Sequence, residues 1–465
     1  MIQKVKAVLA KASTANLKKT YYYLKKNGLG AALFAVRERL GKTPYEDYRY
    51  DLPEEAVLET QRRESASATE PLTISLIVPA YHTNPSYLRA LLESVRAQTY
   101  PYWELILADA GTDSGVKNVV TAFVEETKEQ RIRYVKLESN EGISGNSNRA
   151  LQYATGEYTG LLDHDDLLTP DALYENAARI ISGRRAGAEP LLLYSDEDKC
   201  DESGENYYEV YRKKDFNLDL LLSNNYICHF LVMKTELMQK LQFRCNFDGS
   251  QDYDLVLRGV AEILPDEEKI CHIPRVLYHW RCHSGSTAVN PQSKRYAYEA
   301  GKAALCDFLI QQGWQAEVSH TRHLGFFRIT YQPDVFCIRS DVGVLGGRLL
   351  NPRRKVTGGI YEEDGTCPYR GLAAGFSGYM HQAVLQQDAF AVDVRCMRIR
   401  KELEEVFREI TGVMYQENPE TGLFDSHLLP ADTDWVSLSR QLCDAARERK
   451  YRILWDPKLE ITNIK

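Results

Sequence analysis

Three carboxylates surround one histidine at the end of an apolar run. The run is predicted to be a buried strand that ends at Leu162, and the segment Asp163-His164-Asp165-Asp166 follows it directly. A strand end that carries Asp-x-Asp into a cleft forms a hard, anionic oxygen site, which suits Mg²⁺ or Mn²⁺ and, through the cation, a diphosphate. The alternative is a solvated turn that caps the helix expected just downstream.

Strands and helices alternate through the region that contains this segment. Strand-like apolar runs and helical spacing follow one another over residues 74–81, 85–98, 103–109, 114–128, 133–137, 145–155 and 158–163. The alternation predicts an α/β fold with a mostly parallel sheet, whose ligands bind beyond the carboxyl ends of the strands. Ala80, Asp109 and Asp163 stand at three such ends, so one composite site is expected.

The pattern is less regular beyond residue 190. A strand over residues 191–195 leads into Asp196, Glu197 and Asp198, which are either a surface charge run or a group beside the site. Two further strands are predicted over residues 230–233 and 272–280, and a helix is predicted over residues 292–312.

The composition is that of an ordinary globular protein, with 465 residues, 44% hydrophobic and 26% charged. This length predicts two or three domains, and the net charge of −7 gives no overall reason to expect nucleic-acid binding. Ten singly scattered cysteines favour a reducing, cytoplasmic setting. No apolar run approaches the roughly 20 residues that span a bilayer, and no secretory signal is recognisable.

The N-terminal 45 residues are strongly basic, with ten Lys or Arg residues against the single acid Glu38, a balance of +9. Aliphatic and tyrosine residues are interleaved at roughly helical spacing. One expectation is a basic amphipathic helix that contacts the inner face of the membrane peripherally. The other is a helical hairpin packed on the body of the protein. Together with the polar linker that follows, it forms an N-terminal segment over residues 1–70.

Seven short motifs then follow one another in a fixed order. They are SLIVPAY at 75–81, LADAGTD at 107–113, NEGISGNSNRA at 140–150, GEY at 156–158, LDHDD at 162–166, QDYDL at 251–255 and LYHWRCH at 277–283. Each motif is short, but the ordered series over residues 71–330 resembles family-two glycosyltransferases with the GT-A fold.

The resemblance implies a donor site at the first strand ends. Asp109 would hydrogen-bond the nucleobase, with help from the backbone at Pro79, Ala80 and Tyr81. Asp163 would contact the ribose. The family's usual second acid in the nucleobase motif is replaced here by alanine.

The resemblance also implies residues for the diphosphate. Asp165 would hold the metal, and His283, rather than His279, is similar to the family's C-terminal histidine that reaches the metal or the diphosphate. Asn148, Arg149 and His164 complete the expected donor-binding set. Each has a structural alternative: Asn148 and Arg149 as turn and cap residues, His283 as a loop histidine, and His164 as an exposed side chain.

Asp252 resembles the family's catalytic base, with Gln251 where glutamate is common. An acceptor hydroxyl must lose its proton to a carboxylate, and the leaving diphosphate needs positive charge. One base and in-line attack imply inversion at the anomeric carbon, and Asp196, Glu197 and Asp198 would lie on the acceptor side. The structural alternative for Asp252 is a helix cap that pairs with a nearby arginine.

The C-terminal part repeats some of this pattern. Phe424-Asp425 and Asp434 echo the segment that begins at Phe247 and reaches Asp252, and an apolar strand follows each. No nucleotide-binding half is recognisable, so residues 331–465 are predicted to be a truncated, inactive GT-A-like domain. It would bind polysaccharide, pack on the first domain or form a homodimer.

The function implied is an inverting glycosyltransferase that depends on Mg²⁺ or Mn²⁺. It would move a sugar from a UDP- or dTDP-linked donor to a glycan or lipid-linked acceptor in bacterial cell-surface polysaccharide synthesis. Tandem chains of this kind resemble rhamnosyl- or galactosyltransferases of O-antigen and capsule assembly. The alternative is a non-catalytic carbohydrate-binding or scaffold protein that retains the fold. A nucleotidyltransferase is disfavoured because the first strand lacks a glycine-rich, basic loop.

Overall fold

The computed structural model describes residue 45 and residues 47–69, 71–283 and 295–462. The helices, numbered in chain order, are α1 (Glu55–Ala66), α2 (Pro85–Arg96), α3 (Gly115–Thr127), α4 (Gly142–Leu151), α5 (Ala172–Arg185), α6 (Leu218–Ser223), α7 (Thr235–Leu241), α8 (Gln251–Ile263), α9 (Arg295–Gln311), α10 (Val335–Ile338), α11 (Glu404–Thr411) and α12 (Trp435–Glu448).

The strands fall into a large sheet, a smaller C-terminal sheet and two two-stranded sheets. They are β1 (Ile74–Ala80), β2 (Trp103–Asp109), β3 (Ile132–Lys136), β4 (Tyr158–Leu161), β5 (Leu167–Leu168), β6 (Leu192–Cys200), β7 (Tyr207–Tyr211), β8 (Val232–Lys234), β9 (Ile270–Arg281), β10 (Ala316–His320), β11 (Phe327–Tyr331), β12 (Val342–Leu350), β13 (Val356–Gly358), β14 (Ile360–Tyr361), β15 (Gln387–Asp388), β16 (Ala391–Val392), β17 (Met397–Ile399) and β18 (Arg452–Thr462).

The large sheet has the order β3-β2-β1-β4-β8-β6-β9-β5, with β7 added to β6. β1 pairs in parallel with β2 and β4, β2 pairs in parallel with β3, and β6 pairs in parallel with β9. All seven residues of β1 are buried, as expected of a central strand covered by helices on both faces. The prediction of an α/β fold with a mostly parallel sheet is confirmed.

One boundary in this sheet differs from the prediction and changes the interpretation of three carboxylates. β6 continues to Cys200, so Asp196, Glu197 and Asp198 lie within the strand and are buried. The prediction that they follow the strand is therefore wrong. The acids are tolerated there because cationic and histidine side chains from neighbouring segments meet them, and a buried charge that is paired costs far less than an isolated one.

The C-terminal sheet repeats the core of the larger one. β12 and β18 pair in parallel, and α12 precedes β18 as α8 precedes β9. Asp434 caps α12 by accepting a hydrogen bond from the Ser437 amide at 3.1 Å. One hydrophobic cluster nevertheless contains residues of both sheets, among them Leu192 of β6 and Leu454 of β18. The two sheets therefore share a core, and the boundary at residue 331 stays a prediction.

The predicted basic helices of residues 1–45 lie outside the described residues, apart from Tyr45. Across the described ranges, none of the helices combines the length and the apolar character that crossing a membrane requires.

Candidate active site

The acidic segment that follows β4 ends in a buried carboxylate, Asp166. The Asp166 carboxylate accepts hydrogen bonds from the Tyr278 hydroxyl at 2.6 Å and from the Arg281 backbone amide at 2.7 Å. Burial, together with the charges of Asp165 and Asp163, raises the pKa of Asp166 well above its usual value. A carboxylate held in this way is stabilised by a cation that takes the place of its proton.

His229 joins two of these carboxylates. Ligand atoms of Asp163, Asp166 and His229 lie within 4.8 Å of one another, and we call these three residues the cation group. The imidazole stacks on the Tyr278 ring with 4.5 Å between centroids. Its Nδ1 lies 3.3 Å from Glu197 Oε2, but the geometry is not that of a hydrogen bond, so this buried nitrogen has no hydrogen-bond partner among the described residues.

The donor set of the cation group fits a divalent ion. Carboxylate oxygens are the preferred ligands of Mg²⁺ and Mn²⁺, and a neutral imidazole suits Mn²⁺. Asp163 is accessible to solvent yet surrounded by protein. Loss of water around it, followed by the charge of Asp165, raises its pKa despite the opposing effect of His229. Burial lowers the pKa of His229, but Cys228 and Glu197 raise it well above its usual value, so an ion bound through this imidazole would displace a proton.

The two metal ligands expected from the sequence also meet. His283 Nε2 lies 2.8 Å from Asp165 Oδ2, and the backbone oxygen of Asp165 accepts a hydrogen bond from Arg281 Nε at 2.6 Å. Asp165 and His283 lie next to the cation group but are not members of it. The expected carboxylate and histidine ligands are replaced there by Asp166 and His229. The role of Asp165 and His283 as ligands stays a prediction.

The predicted base approaches the cation group from another element. Asp252 is the second residue of α8, and its Oδ2 accepts a hydrogen bond from Asn225 Nδ2 at 2.8 Å, with the Cys228 thiol at 3.6 Å. The charge of Asp252 contributes to the raised pKa of Asp163, and the Cys228 thiol beside Asp252 lies 3.5 Å from His229 Nε2 of the cation group.

The intrahelical ion pair predicted as an alternative for Asp252 is not observed at this residue. Arg258 instead pairs with Asp254 at 2.6 Å. Asp252 therefore forms no ion pair with Arg258 of its own helix. Its carboxylate is oriented by the segment between α6 and β8.

In the predicted nucleobase site, the Asp109 carboxylate is hydrogen-bonded to other groups of the protein. The Asp109 carboxylate is fully buried and accepts hydrogen bonds from the Gly111 amide at 2.8 Å, the Tyr134 hydroxyl at 2.7 Å and Lys136 Nζ at 3.1 Å. Burial, followed by the hydrogen bond to Asp109, raises the pKa of Tyr134.

The first strand ends beside this carboxylate. Ala80 is the β-sheet partner of Asp109 and directly follows Pro79, and Tyr81 is 44% exposed at the rim. Pro79, Ala80, Tyr81 and Asp109 thus meet at one edge of the sheet, and their contact with a nucleotide stays a prediction.

Other residues expected at the donor are engaged with protein groups. The Asn148 side chain exchanges two hydrogen bonds of 2.8 Å with the Phe243 backbone, and Arg149 forms an exposed ion pair with Glu141 at 2.8 Å. His164 Nδ1 lies 3.9 Å from Asp165 Oδ1 and has no hydrogen-bond partner within the described ranges. Their donor-binding roles stay predictions, as does the alternative that Asn148 and Arg149 shape the turn and cap the helix.

Two of the three acids in β6 serve the sheet. Asp196 meets His272 Nε2 and Arg212 Nη1, each at 2.9 Å, and Asp198 meets His279 Nδ1 at 2.5 Å. The expected surface charge run is therefore wrong, and His279 is occupied by a carboxylate.

Glu197 instead lies beside the cation group. It pairs with Lys213 Nζ at 3.0 Å and lies against His229. Burial would raise its pKa, but the charge of Lys213 and then His229 lower it to about 2. An acceptor-side role for residues 196–198 stays a prediction.

Sequence reasoning missed His229, together with Asn225 and Cys228 beside it. The one available signal was a polar segment placed immediately before the apolar run that becomes β8. A histidine just before an apolar strand can lie at the same sheet edge as the ends of neighbouring strands. The sequence separation between His229 and Asp163 does not reveal that they are close.

Comparison with known proteins is consistent with this arrangement. Residues 75–242 match the family model described as glycosyl transferase family 2. Over these residues, a little more than a third of the chain, the sequence is similar to that family. The family model covers the strands β1 to β8, and thus the acidic segment and His229, while Asp252 and His283 lie beyond it.

Curated relatives are similar over about half of the chain. The uncharacterized protein y4gI of Sinorhizobium fredii is 41% identical over 240 residues, which are 51% of this chain and 25% of that protein. The O-antigen biosynthesis protein RfbC of Myxococcus xanthus is 34% identical over 276 residues, 59% of this chain and 20% of that protein. The matched part of the chain thus spans only a fifth to a quarter of the length of these relatives.

A solved structure of Staphylococcus aureus TarS in complex with UDP-GlcNAc is 19% identical, with a TM-score of 0.40 over 51% of this chain and 67% of that chain. A TM-score of this size is too low to carry an argument about this protein.

Proposed function

We propose that the protein is an inverting glycosyltransferase that moves a sugar from a nucleoside-diphosphate donor to a glycan or lipid-linked acceptor in bacterial cell-surface polysaccharide synthesis. The observation that carries the proposal is that one short segment contacts both Asp252 and the cation group: Cys228 Sγ lies 3.6 Å from Asp252 Oδ2 and 3.5 Å from Nε2 of His229, a member of the cation group. A base and a cation group held close together are what an in-line displacement at a sugar–diphosphate bond requires.

The cation group would hold Mg²⁺ or Mn²⁺, with Asp165 and His283 as neighbouring ligands for the ion or the diphosphate. When bound, the ion supplies positive charge for the leaving diphosphate. The chain itself supplies the shape of this site. Tyr278 and the Arg281 amide fix Asp166 so that both of its oxygens are oriented.

Asp252 would accept the proton of the acceptor hydroxyl. Asn225 engages one carboxylate oxygen, so the other is available for the acceptor. A single base without a carboxylate nucleophile implies inversion. The UDP- or dTDP-linked identity of the donor and the rhamnosyl or galactosyl class remain proposals from family resemblance.

The wider setting is also part of the proposal. Relatives such as RfbC support a role in polysaccharide assembly, and the basic N-terminal segment supports peripheral contact with an anionic membrane face. The C-terminal sheet would be a partial GT-A-like unit that packs on the catalytic domain, with glycan binding and dimerisation as further roles.

The test begins with a thermal-shift panel of UDP-, dTDP- and GDP-sugars in the presence of Mn²⁺, followed by donor hydrolysis with the donor that binds. Asp252→Asn should lower kcat by about 100-fold or more, because a general base contributes 10²–10⁴-fold, while the donor KM stays unchanged. Asp266→Asn is the control, since Asp266 is an exposed partner of Lys269. Full activity of Asp252→Asn would refute the base.

A non-catalytic scaffold predicts a different result. It would bind a glycan without hydrolysing any nucleotide sugar, and Asp252→Asn would leave that binding unchanged. The absence of both donor binding and hydrolysis in the wild type would favour the scaffold.

A further inference from the structure

Residues 225–229, between α6 and β8, connect the two halves of the active site, and we call them the crossover. At one end, Asn225 donates to Asp252. At the other end, His229 belongs to the cation group. The Cys228 thiol lies between them, 3.6 Å from Asp252 Oδ2 and 3.5 Å from His229 Nε2. Any shift of this short segment would therefore move the base and the cation group relative to each other.

A buried ammonium group holds the crossover from beneath. The Lys213 side chain has no exposed surface, and its Nζ donates to Ile227 O at 2.7 Å, to Glu197 Oε2 at 3.0 Å and to His229 O. An ammonium has three N–H donors, so these three acceptors satisfy it completely. A lysine buried in this way is costly unless every donor is used, and here all three uses fix the crossover or the glutamate beside it.

We propose that Lys213 is a positioning residue that acts through the crossover, and that Asn225 transmits this placement to the catalytic base. The proposal rests on the proposed function. Lys213 contacts neither Asp252 nor the carboxylates of the cation group in any hydrogen bond of the described residues, so it acts through the backbone at positions 227 and 229 and through Glu197.

Two variants separate the two ends of the crossover. Lys213→Met keeps the length of the side chain but removes the three donors, so it frees His229. We expect the Kd for Mn²⁺ alone, measured by isothermal titration calorimetry, to rise about 10-fold or more, as for other residues that orient a metal ligand, with kcat for donor hydrolysis falling in parallel. Asn225→Ala should lower kcat about 10-fold and leave Mn²⁺ affinity and donor KM unchanged.

Lys214→Met is the matched control, because Lys214 is the next residue and bonds to Gln387 of the C-terminal sheet. It should bind Mn²⁺ and turn over donor as the wild type does. A merely structural role for Lys213 or Asn225 would lower the melting temperature without separating kcat from KM.

A folded Lys213→Met protein with wild-type Mn²⁺ affinity would overturn the role of Lys213. If that variant does not fold, Asn225→Ala still decides, because wild-type kcat in this variant would overturn the crossover model. A wild-type protein that binds Mn²⁺ and hydrolyses donor leaves the proposed function intact in either case. A wild type that does neither would refute the proposed function and this inference with it.

Discussion

The Tyr278 side chain contacts all three residues of the cation group. Its hydroxyl donates to Asp166 at 2.6 Å and accepts from the Asp163 amide at 3.4 Å, and its ring stacks on His229. Residues that orient metal ligands in this way tune affinity without touching the ion. Burial and the nearby Asp166 charge raise the pKa of Tyr278 well above its usual value, so its hydroxyl stays a donor.

Removal of this hydroxyl alone should weaken cation binding. Tyr278→Phe keeps the stacked ring, so the fold is retained, and Mn²⁺ affinity should fall about 10-fold because Asp166 loses its side-chain donor. Isothermal titration with MnCl₂ measures this change. Tyr100→Phe, which removes a buried hydroxyl bonded to Leu72 O far from the cleft, should bind Mn²⁺ normally. Equal affinities in the two variants would contradict the assigned role.

At the level of helices and strands, the sequence predicts where strands end but not which strands lie side by side in the sheet. Apolar runs gave the ends of β1 and β2, so the meeting of Ala80 with Asp109 followed from the sequence alone. His229 could not be predicted, because the order in which β8 inserts beside β4 depends on long-range pairing. The buried acids of β6 were missed because composition assigns carboxylates to the surface, whereas their partners come from distant segments.

A second set of contacts joins elements at the start of β4, the end of this strand away from Asp163. Glu189, after α5, accepts from Arg184 at 2.8 Å, Lys234 at 3.0 Å and Tyr158 at 2.9 Å. Burial would raise its pKa, but the hydrogen bonds from Arg184 and Lys234 lower it from 4.5 to about 2. The carboxylate thus ties a helix to the adjacent strands β4 and β8 only while it is ionised.

The contribution of Glu189 to stability should depend on pH. Because the folded pKa lies below the unfolded value, the stabilisation is complete above pH 4.5 and is lost as pH falls toward 2. Glu189→Gln should lower the free energy of unfolding by about 1 kcal/mol at pH 7, a value reduced for solvent screening, and by less at pH 3. Urea unfolding at the two pH values measures this difference. A constant difference would show that the ion pairs contribute nothing.

For the whole molecule, the two sheets are joined by charge as well as by apolar contacts. Arg339, fully buried before β12, pairs with Asp219 of α6 at 3.0 Å and with Asp341 at 2.7 Å. Arg328 of β11 forms a second pair with Asp456 of β18 at 2.6 Å. Removal of one partner from a buried ion pair leaves an uncompensated charge, which costs far more than the pair itself contributes.

Arg339→Met should therefore lower the free energy of unfolding by about 3–5 kcal/mol. The exposed pair Arg408–Glu405 provides the control, since Arg408→Met should change the free energy of unfolding by less than about 1 kcal/mol. Because Leu345, Leu385 and Leu454 belong to the same cluster as the core of the large sheet, both sheets should unfold in one transition. Urea unfolding followed by far-UV circular dichroism and by tryptophan fluorescence tests this coupling. Two separated transitions, with only the C-terminal one moved by Arg339→Met, would show instead that the part of the chain containing the large sheet is stable without the C-terminal sheet.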